Sequence, residues 1–259
     1  PAELVEIAHA HQRLLAIDGD EGGLRQRVAR GHLVKQLAQA GPVGLAVDQR
    51  INSALGPHGI GQAGQIDHVL VAMGLHQPLP VDKHRDHAAL GHIDILCNNA
   101  GIAGGNYPTW EYPVEEFRRV IDVDLTSVFI CCRAVYPHMK AQGGGRIINI
   151  SSSRIWEGNP NRLDYTTSKA GVVGLTRALA REVGDDGIGV NAITPGFTMS
   201  ETQIASSSSN YTAGRDEGKG FKRPQFPDDL VGAGMFLLSD AGGFITGQTL
   251  NVDGGMYMH

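Results

Sequence analysis

Long apolar runs, paired cysteines and an excess of positive charge are all missing from this chain of 259 residues. No stretch reaches the ~18 uncharged apolar residues of a membrane span, and no basic, apolar leader opens the sequence. The three cysteines, Cys97, Cys131 and Cys132, form an odd set, which argues against a disulfide framework. The formal net charge of -5 gives no reason to expect nucleic acid or an anionic membrane as a partner. We therefore expect a globular, cytoplasmic protein without a bound metal.

The first 92 residues lack a clear hydrophobic periodicity. They contain nine of the eleven histidines and are rich in glutamine and glycine. Their length suits two or three βα units, and no linker separates them from the rest. We therefore predict a single domain over residues 1–259.

From residue 93 onward, short apolar runs alternate with longer stretches of helical spacing. The predicted strands are residues 93–97, 146–150, 188–193 and 249–252, and the predicted helices are 114–142, 163–183 and 228–238. This alternation predicts an α/β fold, a doubly wound parallel sheet of about seven strands with helices on both faces. The pattern breaks over residues 198–227, which we interpret as a mobile lid over a site.

Tyr165 and Lys169 stand four residues apart, on one face of a predicted helix. An isolated pair of this kind is most often an ordinary surface contact. Ser152, however, ends a buried strand thirteen residues earlier, at the sheet edge where open α/β folds bind ligands. A free tyrosine ionises near pH 10, and a neighbouring ammonium favours the phenolate. The three side chains together are typical of proton transfer to and from a carbonyl oxygen.

These residues occur in an order that resembles the short-chain dehydrogenases/reductases. The other matching motifs are Asn-Asn-Ala-Gly at 98–101, Pro195-Gly196, and Ile-Thr-Gly-Gln-Thr-Leu-Asn-Val-Asp-Gly-Gly at 245–255. The resemblance covers residues 93–259. It implies a Rossmann-type dehydrogenase that moves a hydride between a nicotinamide cofactor and a secondary alcohol or ketone.

The resemblance also implies a role for each matching residue. Tyr165 would be the acid/base, Ser152 the hydroxyl that polarises the carbonyl, and Lys169 the cation that favours the phenolate and binds the nicotinamide ribose. Further cofactor contacts are expected from Asn98, Ala100, Gly101, Pro195, Gly196, Thr198 and Ser200. The substrate pocket would be shaped by Ser152, Arg154, Trp156 and Phe197.

One departure from the family pattern lies on the helix after Asn-Asn-Ala-Gly. Family members usually carry an asparagine there, which keeps a water-filled proton path open, and this chain has Asp124. A carboxylate accepts the same hydrogen bonds but donates only when it is protonated. Asp124 is thus either a working member of the relay with altered pH dependence or an ordinary polar contact.

The second departure concerns the glycine-rich turn that carries the cofactor pyrophosphate in this family. At the expected place, residues 24–31, the sequence is Leu-Arg-Gln-Arg-Val-Ala-Arg-Gly. Either residues 1–92 are a divergent cofactor half, or a misread stretch stands in place of the sequence that folds.

Part of the family register nevertheless continues through this region. Residues 33–41 resemble the end of the first helix, and residues 42–48 resemble the second strand with Asp48 as its terminal acid. An acid there binds ribose hydroxyls and repels a 2′-phosphate, so it favours NAD over NADP as the cofactor. The alternative is a solvated aspartate in a turn.

Three other activities compete with an NAD-dependent alcohol dehydrogenase. A 3-oxoacyl-carrier-protein reductase is the nearest. Halohydrin dehalogenases resemble the family and lack the glycine motif, but they replace the lysine with arginine, whereas this chain has Lys169. A silent binding module would not need all three reactive side chains. Broad apolar faces on the helices at 114–142 and 163–183 predict a dimer at least. The resemblance to the family, together with the apolar C-terminal residues 254–259, implies that dimers pair into a homotetramer with two-fold axes.

Overall fold

The computed structural model describes residues 93–200, 203–204 and 214–258, together with the backbone of two segments nearer the start of the chain. In this part of the chain six strands form a single sheet, in the order in which they occur in the sequence. They are β1 Leu45–Asp48, β2 Val69–Ala72, β3 Ile95–Asn98, β4 Gly145–Ile150, β5 Ile188–Pro195 and β6 Thr249–Val252.

Strands β2 to β6 are parallel, so their carboxyl ends meet at one edge of the sheet. Asn98 pairs with Asn149, which in turn pairs with Ala192 on β5. Strands β3 to β5 carry continuous apolar runs rather than alternating ones, because helices cover both of their faces. The predicted parallel α/β sheet is confirmed for these strands.

Strand β1 differs from the prediction of an all-parallel sheet. It pairs with β2 in antiparallel orientation, and the described strands lie in the sheet in their sequence order. Edge strands of mixed sheets often run antiparallel, because an edge strand has only one neighbour to satisfy. The register sets Asp48 opposite Val69, at the amino end of β2. Asp48 therefore lies at the sheet edge away from Asn98, and its predicted place beside the cofactor is wrong in this structure.

Helices pack on both faces of the sheet, as predicted. The described α-helices are α1 Val114–Ile121, α2 Ser127–Gln142, α3 Arg154–Glu157, α4 Leu163–Val183 and α5 Asp228–Leu238. Helices α2 and α4 cover one face, where Leu96, Val135 and Val172 belong to the larger core. On the other face Leu237 of α5 packs with Ile148.

The helix predicted over residues 114–142 is interrupted. A π-helical turn, Asp122–Thr126, separates α1 from α2, and the Ser127 N–H bonds to the Asp122 carbonyl. Such turns insert one residue into a helix and occur often at functional sites. This turn contains Asp124, so the irregularity coincides with the residue that departs from the family pattern.

Candidate active site

A cavity of about 930 Å³ opens at the carboxyl ends of β3, β4 and β5 and extends along the face covered by α5. Ser152, Tyr165 and Lys169 all line it. These three residues come from a strand end and from a helix, and the parallel sheet brings them to one place. The structure therefore assembles the predicted reactive side chains in a single cavity.

The position of Ser152 follows from the pairing of β4 with β5. The ladder continues past the strand end, because Ser151 N–H bonds to Ile193 O at 2.8 Å and Ser153 N–H bonds to Pro195 O at 2.9 Å. The Ser152 hydroxyl accepts the Arg154 N–H at 3.3 Å. This contact uses a lone pair and leaves the Ser152 proton available for a substrate oxygen.

Lys169 is held from several sides. Its ammonium nitrogen, Nζ, donates to Ile150 O at 3.2 Å and lies 5.8 Å from the centre of the Tyr165 ring. The Ser151 hydroxyl donates to the Lys169 carbonyl at 2.7 Å. Only 4% of the Lys169 side chain is exposed. These contacts fix the cation next to the tyrosine that it is predicted to assist.

Asp124 lies behind Lys169, with its carboxylate Oδ2 4.0 Å from Nζ. It is completely buried and accepts the Ile102 N–H at 2.7 Å. The Ser168 hydroxyl lies 3.3 Å from Oδ2, but the same hydroxyl lies 2.8 Å from the Tyr165 carbonyl. Burial raises the pKa of Asp124, and the positive charge of Lys169 opposes that rise. Asp124 thus joins the π turn to the turn after β3 and to α4.

Replacing Asp124 by asparagine is expected to raise the free energy of unfolding at pH 8. Because the pKa of Asp124 is raised in the folded state, its ionisation costs stability as the pH rises through that pKa. Asparagine carries no charge, and its N–H can donate to Ser168 while Ser168 donates to the Tyr165 carbonyl. The advantage of Asp124→Asn should shrink toward pH 4, as measured by urea unfolding from pH 4 to pH 8. A difference that does not depend on pH would contradict this assignment.

The side chain of Asn98 does not lie where the family resemblance implied. It points into the core, where Nδ2 donates to Asn149 Oδ1 at 2.7 Å and contacts Cys132 Sγ at 3.4 Å. The amide therefore links β3 to β4 instead of facing the cofactor cleft, because successive residues of a strand point to opposite faces. The next residue, Asn99, lines the cavity, as does Gly101, whereas Ala100 is not among the lining residues.

The turn after β5 borders the same cavity. Pro195, Gly196, Phe197, Thr198 and Ser200 all line the cavity. Within the predicted lid, Met199 N–H bonds to Gln225 O at 2.8 Å, which ties its two described ends together. Residues 201–202 and 205–213 of that segment lie outside the described residues.

Of two further residues predicted to shape the substrate pocket, one lines the cavity and the other does not. Arg154 lines the cavity, whereas Trp156 is not among the lining residues and is 37% exposed. The cavity is also lined by Arg162, Met256 and Tyr257, which no sequence motif indicated. The carboxylate of Asp253 accepts the N–H groups of residues 255, 256 and 257 and so folds the C-terminal segment toward the site. The signal for this turn was the Asp-Gly-Gly sequence.

Comparison with known proteins agrees with this geometry. A family model described as Enoyl-(Acyl carrier protein) reductase matches residues 81–257. The chain belongs to the short-chain dehydrogenase/reductase family. It is therefore an NAD(P)-dependent oxidoreductase of the hydride-transferring type. In the described residues no helix is both long and apolar enough to cross a membrane, and no cluster of potential metal ligands occurs.

Curated relatives of this short-chain dehydrogenase/reductase carry several activities. A 2-dehydro-3-deoxy-L-rhamnonate dehydrogenase (NAD(+)) of Sphingomonas sp. (strain SKA58) is 39% identical over 170 residues, 65% of this chain and 67% of the relative. A 3-oxoacyl-(acyl-carrier-protein) reductase FabG of Staphylococcus aureus (strain Mu50) is 41% identical over 175 residues, 65% of this chain and 68% of the relative. An acetoacetyl-CoA reductase of Acinetobacter sp. (strain RA3849) is 30% identical over 256 residues, 96% of this chain and 100% of the relative.

Proposed function

We propose that this enzyme reversibly oxidises a secondary alcohol to a ketone, with Tyr165 as the acid/base and NAD as the cofactor. The observation that carries the proposal is the convergence of Ser152, Tyr165 and Lys169 on one cavity at the carboxyl edge of the sheet. Open α/β sheets bind their ligands at this edge. Each of the three side chains has a chemical task there.

In the oxidation, the Tyr165 phenolate takes the proton of the substrate hydroxyl, and the Lys169 ammonium favours the charged phenolate. Ser152 donates a hydrogen bond to the same substrate oxygen and holds it in place. In the reduction, Tyr165 returns the proton to the carbonyl oxygen. Asp124 contacts both Lys169 and Ser168 and lies where a proton path from Tyr165 toward the interior would run.

The described residues fit the nicotinamide end of the cofactor, which takes or supplies the hydride when bound. A side chain at Gly101 would lie 2.9 Å from Lys169 Nζ, so glycine leaves the approach to the ammonium open. Lys169 would bind the ribose. The backbone of Thr198 and the hydroxyl of Ser200 would hold the carboxamide.

Asp48 does not support a preference for NAD over NADP, because it lies at the other edge of the sheet. The Sphingomonas relative supports NAD, because it is an NAD(+)-dependent dehydrogenase. Titrating the protein with NADH and with NADPH, and following nicotinamide fluorescence, compares the two cofactors directly.

The same titration, followed by turnover of secondary alcohols with NAD, tests the proposed function. Binding of NADH together with reduction of NAD by an alcohol would support it. Failure to bind either cofactor would refute it and would favour a dehalogenase-like or silent member of the scaffold. Release of halide from a vicinal halohydrin would then identify a dehalogenase-like protein and distinguish it from a silent one.

A second candidate is reduction of a 3-oxoacyl group on a carrier protein, which the Staphylococcus relative favours. An acidic carrier requires free cations near the cavity mouth. In the described part of the 198–227 segment, Arg223 is held by Asp229 through contacts of 2.7 and 2.6 Å, and Lys219 by Asp216 at 2.6 Å. These pairings disfavour the carrier, and assays with 3-oxoacyl carrier protein and NADPH decide between the two.

We also propose a homotetramer. Phe129 and Ile130 on α2 are 52% and 42% exposed, and Met258 in the C-terminal segment after β6 is 84% exposed. Covering these apolar side chains needs two separate two-fold contacts. Light scattering during size exclusion should therefore give the mass of four chains, and Phe129→Glu should reduce it. A single chain of 27.6 kDa for the wild type would refute the assembly.

A further inference from the structure

Arg154 carries an unsatisfied guanidinium at the wall of the cavity. Its side chain is 19% exposed, and its nearest carboxylate oxygen, Glu157 Oε2, is 3.9 Å from Nε, beyond hydrogen-bond distance. Among the described residues no hydrogen bond from the guanidinium is found; the backbone N–H of Arg154 instead donates to the Ser152 hydroxyl. The guanidinium of Arg154 therefore has donors that are not used within the described part of the protein and that a ligand in the cavity could satisfy.

Glu157 is not a dedicated partner for Arg154. Its other oxygen, Oε1, accepts the Asn159 amide at 2.6 Å. It also lies near Tyr257, whose pKa is raised mainly by burial and further by the negative charge of Glu157. The Glu157 carboxylate is therefore shared among three neighbours. Arg154 and Glu157 both line the cavity, but they are not joined by a hydrogen bond.

The other described cations along the cavity wall have partners or roles of their own. Arg215, for example, lies over the Phe197 ring at 4.3 Å. Arg162 donates to Gly104 O at 2.6 Å, Lys219 binds Asp216, and Lys169 belongs to the catalytic group. Arg154 also stands two residues after Ser152, so it borders the place where the substrate oxygen is polarised. An anion bound by Arg154 would thus be part of the same small molecule that presents its hydroxyl to Ser152.

We propose that Arg154 binds a carboxylate of the substrate, and that the substrate is a hydroxy acid or the corresponding oxo acid. The inference rests on the proposed function, since it assumes that the alcohol is oxidised beside Ser152. A guanidinium matches a carboxylate with two parallel hydrogen bonds, and a hydrogen bond to a charged group contributes enough to change affinity by roughly tenfold or more.

Matched pairs of an acid and its amide test the proposal, because the two differ in charge and little in shape. Binding of 3-hydroxybutanoate and 3-hydroxybutanamide, and of the 3-hydroxyhexanoate pair, is measured by calorimetry with saturating NADH, which cannot accept a hydride from the alcohol and so prevents turnover. The wild type should bind at least one acid about tenfold or more tightly than its amide. In Arg154→Gln that ratio should fall close to one, and in Arg154→Lys it should be intermediate, because lysine keeps the charge but not the fork.

Arg181→Gln is the matched control, since Arg181 is exposed on α4 and does not line the cavity. It should keep the wild-type ratio. The inference would be overturned if the wild type bound neither acid better than its amide, or if the preference for the acid survived in Arg154→Gln. It would also be overturned if neither acid bound at 10 mM, roughly the weakest useful affinity. Oxidation of uncharged 2-butanol reports separately on the proposed function. Activity on 2-butanol without a preference for the acids would refute only the proposed carboxylate site. Failure to bind NAD would refute both that site and the proposed function.

Discussion

Tyr165→Phe is expected to lower kcat by roughly 10²–10⁴-fold or more, while the affinity for the cofactor stays nearly unchanged. The substitution removes only the hydroxyl that carries the proton, and the ring keeps its place in the first turn of α4 beside Lys169. Steady-state kinetics with NAD and a secondary alcohol, combined with NADH fluorescence titration, measure both quantities.

Tyr136→Phe is the matched control for this prediction. The Tyr136 hydroxyl donates to Asp186 Oδ2 at 2.9 Å, and Tyr136 does not line the cavity. Its loss should cost about 1 kcal/mol of stability and leave kcat at the wild-type value. Turnover by Tyr165→Phe comparable to that of Tyr136→Phe would overturn the assignment of the acid/base.

Lys169→Met is expected to reduce both turnover, by roughly 10²-fold or more, and the affinity for NADH. The substitution keeps the length of the side chain but removes the charge that favours the Tyr165 phenolate and the donor that would bind the ribose. It also leaves Asp124 buried without its cation. Because the charge of Lys169 lowers the pKa of Asp124, its loss should raise that pKa further and destabilise the variant most at high pH.

A double variant separates catalysis from folding. Lys169→Met combined with Asp124→Asn removes the unpaired carboxylate, so it should recover stability at pH 8 without recovering turnover. Lys140→Met provides the control for loss of a lysine, since Lys140 pairs with Asp186 at the surface, 3.2 Å away. If the double variant regained activity, Lys169 would act on the fold alone and not on Tyr165.

Much of the catalytic half could be predicted because its signals are local. An apolar run with helical spacing marks α4 at Leu163–Val183 with the observed bounds, and the same holds for α5 and for β6. Spacing also placed Ser152, Tyr165 and Lys169, since a strand end and the first turns of the next helix must meet at the carboxyl edge of a parallel sheet. The motifs that identify the family use residues at these positions.

Other features depend on the sheet as a whole and could not be predicted from local pattern. The π turn around Asp124 looks in sequence like a continuous helix, because one inserted residue changes the hydrophobic period too little to notice. The motif around Asn98 predicts a contact with the cofactor. The register of β3 against β4 instead brings the Asn98 amide to Asn149. The direction of β1 depends on which edge of the sheet it joins, so Asp48 could not be assigned from its place at a strand end.

The sequence by itself determined the family, the parallel sheet from β3 onward and the meeting of Ser152, Tyr165 and Lys169 at one sheet edge, because these follow from short-range spacing and from motifs. Only the tertiary structure decided the surroundings of Arg154. Its shortage of partners appears when Glu157 is seen to serve Asn159 and to lie beside Tyr257, about 100 residues further along the chain. Which charged groups pair depends on their distances in the folded protein, and the order of residues in the sequence does not give those distances.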